Sequence, residues 1–150
     1  VKEWLKVYRV DIFADTSSHS LRDAHRAYGC ILACKSTGGT PVTLEIFGGC
    51  QGTYHHCFLA AIIAALRRMN QPSRIYIHGP NDYVLNMIER NLDTWAGNGF
   101  RDFKGKPIKD NDAWKQAWEL LRPHKYCIQH GRHEYSDWLT AELKKKALNI

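Results

Sequence analysis

VYRVDIFADTS, residues 7–17, is the stretch whose reading decides the fold. Val10, Ile12 and Ala14 alternate with Arg9, Asp11, Phe13 and Asp15, the two-residue period of a strand with one face on a core. The run stops at Asp15 and passes into Thr16-Ser17-Ser18. Alone, an Asp at a strand end is a turn-former, because its carboxylate can accept from the next backbone amides. Its meaning here depends on the elements that follow.

A loop is expected over Ser18–Arg26, then a second strand over Ala27–Lys35 (AYGCILACK). Ser36-Thr37-Gly38-Gly39-Thr40 forms a turn into a third strand, Pro41–Phe47, so the pair reads as a hairpin. Gly48-Gly49 and Gly52 break the pattern, and Thr53 is an N-cap for a helix running to about Asn70. Its centre, CFLAAIIAAL, is apolar on every side and is expected to be buried all round. A fourth strand covers Ser73–His78 and is broken by Gly79-Pro80-Asn81-Asp82 ahead of a helix over Tyr83–Leu92. Trp95–Lys109 is a Gly- and Lys-bearing connection. Asp110 or Asn111 caps a helix to Leu121, and Lys125–Gln129 is the fifth strand. His130–His133 is a loop, and Ser136 caps a last helix to about Leu148, with Lys144, Lys145 and Lys146 near its negative end. The order β-β-β-α-β-α-α-β-α implies an α/β domain with a five-stranded mixed sheet and helices on its faces.

The 150 residues suit a single domain over 1–150, with no repeat, linker or low-complexity segment. Apolar content is 44% and charged content 24%, ordinary for a globular chain. The net charge of +6, with a pI near 9.1, fits a polyanionic partner. Val1-Lys2-Glu3-Trp4 has no signal-peptide pattern and is expected to lead straight into the first strand. The longest apolar run, Cys57–Leu66, is too short to span a membrane. Cys30, Cys34, Cys50, Cys57 and Cys127 form an odd set without a CxxC, which suggests reduced thiols and a cytoplasmic protein.

Six segments in order resemble the ribonuclease H family, type 1. VDIFADTS resembles its first strand, AYGCIL its second and LAAIIAAL its first helix. DYVLNMI resembles the start of its second helix. GKPIKDNDAWKQAWELL resembles its basic loop and the helix behind it, and HGRHEYSDWL a shortened form of its last loop and helix start. The resemblance implies a ribonuclease H-like fold and, in its active members, cleavage of the RNA strand of an RNA–DNA hybrid. That chemistry uses two divalent metals about 4 Å apart. Mg2+ prefers oxygen ligands, and the family supplies four carboxylates in the order Asp, Glu, Asp, Asp.

Carried over position by position, the first carboxylate falls on Asp15 and the fourth on Asp137. The second falls on Cys57 and the third on Pro80, neither of them a carboxylate. Asp82, two residues past Pro80, is a candidate replacement, or else the N-cap or a first-turn acid of its helix. His78 and His133 are further candidates, imidazole suiting Mn2+ or Zn2+ better than Mg2+. The resemblance places the family's mobile histidine on His130. Cys50, His55, His56 and Cys57 invite a zinc reading, but their spacing is not that of a finger, and Cys57 reads as a core thiol.

For nucleic acid, the segment Thr53, Tyr54 and His55 offers helix-start amides and a hydroxyl to a phosphate. Arg101, Lys104, Lys106 and Lys109, interleaved with Phe100, Phe103 and Trp114, correspond to the family's basic handle, though Asp102, Asp110 and Asp112 dilute its charge. Three readings result. The first is a protein that binds RNA–DNA hybrid or another duplex, with catalysis weak or lost. The second is an active nuclease whose Mg2+ or Mn2+ is held by Asp15, Asp82 and Asp137. The third is a non-enzymatic interaction module on the same fold.

Overall fold

The computed structural model describes residues 8–35 and 39–148. Val7, the segment Val1–Trp4 and the turn residues Ser36–Gly38 of the sequence reading lie outside them. Five strands, β1 (Tyr8–Thr16), β2 (Ala24–Lys35), β3 (Pro41–Gly52), β4 (Ser73–Gly79) and β5 (Lys125–His130), form one sheet in the order β3-β2-β1-β4-β5. β1 pairs antiparallel with β2 and parallel with β4, and β5 is parallel to β4, so the sheet is mixed as expected. Asp15 faces Gly29 across the β1–β2 ladder.

The helices are α1 (Tyr54–Leu66), α2 (Asp82–Arg90), α3 (Leu92–Gly97), α4 (Asn111–Leu121) and α5 (Ser136–Ala147). Alternation along β1 sends Val10, Ile12 and Ala14 to one face and Phe13, with Asp11 and Asp15, to the other. On the first face they pack with Phe58, Leu59 and Ile62 of α1 in the larger core, which extends to Val84 and Ile88 of α2 and Trp114 and Leu121 of α4. On the second face, Phe13, Ala27 and Ile31 pack against Leu139 and Leu143 of α5. As read from its apolar surface, α1 is buried along most of its length.

Several boundaries differ from the sequence reading, among them the start of β2, at Ala24 rather than Ala27. β3 does not stop at Gly48-Gly49; these residues pair with Tyr28 and Ala27. Gly48 carries no side chain because a Cβ there would run into the Tyr28 ring, which lies across it. α1 ends at Leu66 rather than Asn70, where Arg68 and Met69 donate to Ala65 and Leu66 three residues back and tighten the last turn ahead of Pro72. α2 begins at Asp82 because Asn81, not Asp82, caps it: the Asn81 Oδ1 accepts from the Val84 amide at 2.9 Å. The short α3 was hidden in the connection, whose Gly97 and Gly99 concealed the apolar Leu92 and Trp95 one turn apart.

Candidate nucleic-acid interface

Asp15 ends β1 with its carboxylate buried. Its Oδ1 accepts from the Thr16 amide at 2.8 Å, the turn-forming bond expected of a strand-end Asp. The same oxygen is 2.7 Å from His19 Nε2 in the following loop. The bond to Asp15 raises the His19 pKa against the opposing effect of burial. His19 was not singled out from sequence; the only signal is a histidine four residues past the acid.

The other candidate acids are engaged in the same way. Asp82 Oδ1 lies 2.9 Å from His130 Nδ1, and the Asp82 side chain is 72% exposed. Asp137 pairs with Arg132 and is 92% exposed. On the α5 face of the sheet, Asp11 bonds His78 Nε2 at 2.7 Å and Arg9 at 3.1 Å. Burial pushes Asp11 upward, but these bonds outweigh it and hold its pKa below the usual value. His133 accepts the Tyr135 amide on Nδ1 at 3.1 Å, and its Nε2 has no hydrogen-bond partner among the described residues. Burial, aided by His78, lowers the His133 pKa to about 4. Ser136, read as a cap, is the first residue of α5; its hydroxyl accepts from the His133 amide at 2.8 Å.

Cys57, at the second carboxylate position, is a fully buried thiol, pushed up to about 12 by burial and by its neighbour Cys50. The guanidinium that opposes this shift belongs to Arg26, 1% exposed and without a carboxylate partner among the described residues. Its Nε donates to the Ser18 carbonyl at 3.2 Å. Nη1 donates to the carbonyls of Gly52 and Ala24. Nη2 donates to the Ser20 and Arg22 carbonyls and to the Ser20 hydroxyl. The loop after β1 is therefore wrapped around a cation and tied to the residue before Thr53. Arg26 had been placed in a loop from sequence; no periodicity marks it as inward.

The structure does not gather Asp15, Asp82 and Asp137 into a ligand cluster: among the described residues, no group of three or more His, Cys, Asp and Glu side chains is placed to hold a metal ion. The zinc reading fares the same. His55 Nδ1 is 3.0 Å from Asn81 Nδ2, His56 Nδ1 is 3.2 Å from Asp110 Oδ1, and Cys57 Sγ lies 3.6 Å from the Cys50 carbonyl.

Thr53 caps α1, its hydroxyl accepting from the His56 amide at 3.2 Å. Thr53, His55, Tyr83, Lys109, Asp110 and Trp114 line one cleft of about 240 Å³, so the expected anion-binding segment and Lys109 do meet. Arg101, Lys104 and Lys106 sit on a tight protrusion closed by a bridge between Arg101 and Pro107. Asp102 shapes it by accepting from the Lys104 and Lys106 amides at 2.8 and 3.0 Å, so this acid has a structural use there. Phe103 at the tip is 95% exposed, with the Lys104 ammonium 5.7 Å from its ring centroid. Trp95 and Trp114 pack edge to face at 5.1 Å inside the fold.

The family model for RNase H matches residues 8–133. The chain belongs to the ribonuclease H family. Among similar proteins, the ribonuclease H of Mesorhizobium japonicum is 30% identical over 142 residues, covering 89% of this chain and 77% of the relative. That of Novosphingobium aromaticivorans is 36% identical over 67 residues, covering 45% of this chain and 47% of the relative, about half its length. The fold matches the crystal structure of LC9-RNase H1, a type 1 RNase H with the type 2 active-site motif, with a TM-score of 0.75 at 18% identity over 95% of this chain and 72% of that one. Within this ribonuclease H fold, no helix of the described residues is long and apolar enough to cross a membrane.

Proposed function

We propose that this chain is a ribonuclease H-like protein that binds RNA–DNA hybrid or another nucleic-acid duplex, with catalysis weak or lost. One observation carries the reading. Each acid at or near the family's ligand positions is engaged by a basic side chain of the chain itself: Asp15 by His19, Asp82 by His130 and Asp137 by Arg132. Cys57 and Pro80 stand at the other two positions. Binding does not need the missing acids. Arg101, Lys104, Lys106 and Lys109, with Thr53, Tyr54 and His55 at the start of α1, supply cations and amides to a phosphate backbone. The net charge of +6 supports such a partner, and the free thiols support a reducing, cytoplasmic setting.

The test is anisotropy titration of a labelled RNA–DNA hybrid in EDTA at several salt concentrations, beside a cleavage assay with Mg2+ and with Mn2+. The reading expects salt-dependent binding in EDTA, weakened in Lys104→Ala/Lys106→Ala with a shallower salt slope. Metal-dependent cleavage at rates ordinary for an enzyme, abolished in Asp15→Asn, would replace it with the active nuclease built on Asp15, Asp82 and Asp137. Salt-indifferent behaviour toward every nucleic acid would leave the interaction module.

A further inference from the structure

Four rings from three separate elements stand in a row along the edge of the proposed interface. His19, from the loop after β1, stacks on Tyr54 of α1 at 4.5 Å and 16°. Tyr54 leans on His55 at 5.7 Å and 31°. His55 stacks on Tyr83 of α2 at 4.3 Å and 26°. The row is open at both ends: the His19 side chain and Tyr83 are each 49% exposed. At its centre Tyr54 is more than nine-tenths buried, and its hydroxyl has no hydrogen-bond partner among the described residues. Tyr54 is thus a fixed centre, and the two exposed rings at the ends are what a ligand can meet.

We propose that this row is a ledge for the unpaired bases of a single-stranded segment. Bases stack on the exposed rings of Tyr83 and His19 at the two ends of the row. The neighbouring acids favour a base over a phosphate here. Asp15 adjoins His19, and both Asp15 and Asp82 act electrostatically on Tyr54, so a phosphate against these rings would meet two carboxylates. The strand's backbone instead has Lys109 in the adjoining cleft. The bases of an intact duplex are paired and stacked inside it and cannot lie on these rings; a frayed end, a tail or a free strand can. The proposal rests on the reading of this edge as a nucleic-acid interface and adds to it a preference for tailed over blunt substrates.

The experiment is anisotropy titration in EDTA and low salt with three labelled probes: a blunt RNA–DNA hybrid, the same hybrid with an unpaired tail, and the tail strand alone. The wild type is expected to bind the tailed hybrid more tightly than the blunt one. Tyr83→Ala weakens binding of the tailed hybrid and the single strand about tenfold, the loss of one stacked base, and weakens the blunt hybrid much less. Tyr83→Phe, which keeps the ring, behaves as wild type. Equal affinity for blunt and tailed hybrids, or a Tyr83→Ala variant that lowers both equally, overturns the ledge while the duplex reading stands. Failure of all three probes to bind overturns both.

Discussion

Replacing Arg26 with Met should loosen the edge of the molecule that faces the proposed ligand. Met keeps most of the buried volume and removes every donor. Of the carbonyls the guanidinium holds, those of Ser20 and Arg22 belong to exposed residues and can take water instead. Gly52 is buried, and its carbonyl loses a bond from a charged donor. Such a bond contributes about 1.5–3 kcal/mol. Relief of the buried, unpaired charge offsets part of this, while loss of the Ser18 bond and of order in the loop adds to it. The net is about 2–3 kcal/mol, or a fall in melting temperature of about 4–12 °C for a chain of this size. Lysine should recover little, because three donors on a flexible stem cannot reproduce a planar fork. Urea unfolding followed by circular dichroism gives the loss. Hydrogen exchange should show residues 18–24 exchanging faster in the variant than β1 does. A change within about 0.5 kcal/mol, as for an ordinary surface substitution, would refute the view that the loop is built on this cation.

Three further outcomes follow from particular contacts. Gly79→Ala places a Cβ 2.5 Å from Phe58 Cζ and 3.1 Å from the Ala14 carbonyl, and urea unfolding should show a loss of about 1–3 kcal/mol; a neutral result would mean that α1 can slide on the sheet. Phe58→Ala empties the larger core and should cost about 3–5 kcal/mol by the same assay, a much smaller loss meaning that α1 collapses into the space. His133 stays neutral in the folded chain down to about pH 4, while the unfolded ring takes its proton near 6.5, so the unfolded state binds more protons between these values and stability falls as pH drops from 6.5 to 4. The ring is only half-buried, so solvent screening cuts the loss to about 1–2 kcal/mol; His133→Asn should flatten that part of the pH profile, and an unchanged profile would assign the acid sensitivity to other groups.

Most of the scaffold was legible because it rests on local signals. Period-2 alternation marked β1, Thr53 marked the start of α1, and the apolar run from Cys57 marked the buried helix. Where reading failed, a distant partner had overridden the local rule. Gly48-Gly49 looks like a break until the Tyr28 ring is seen lying across it. Asp110 looks like a cap, yet it sits at φ 59°, makes no capping bond, and turns its carboxylate to His56. The site was legible by position but not by partnership. Nothing local joins His19 to Tyr54, His130 to Asp82 or Arg26 to Gly52, because each pair is brought together by the packing of separate elements.

The long outer edge of β3 has a bearing on how the protein behaves in concentrated solution. As the first strand of the sheet it presents an unpaired row of amides and carbonyls, with Val42 and Leu44 exposed along it. Such a margin can template the pairing of another chain. Pro41 at one end withholds a donor, and toward the other the Tyr28 ring lies over Gly48 and the Phe47 ring over Gly29, shielding the backbone where side chains are missing. The span between, Val42 to Ile46, is the part of the fold where colloidal solubility is decided, and a lysine in place of Val42 or Leu44 is the change that would raise it.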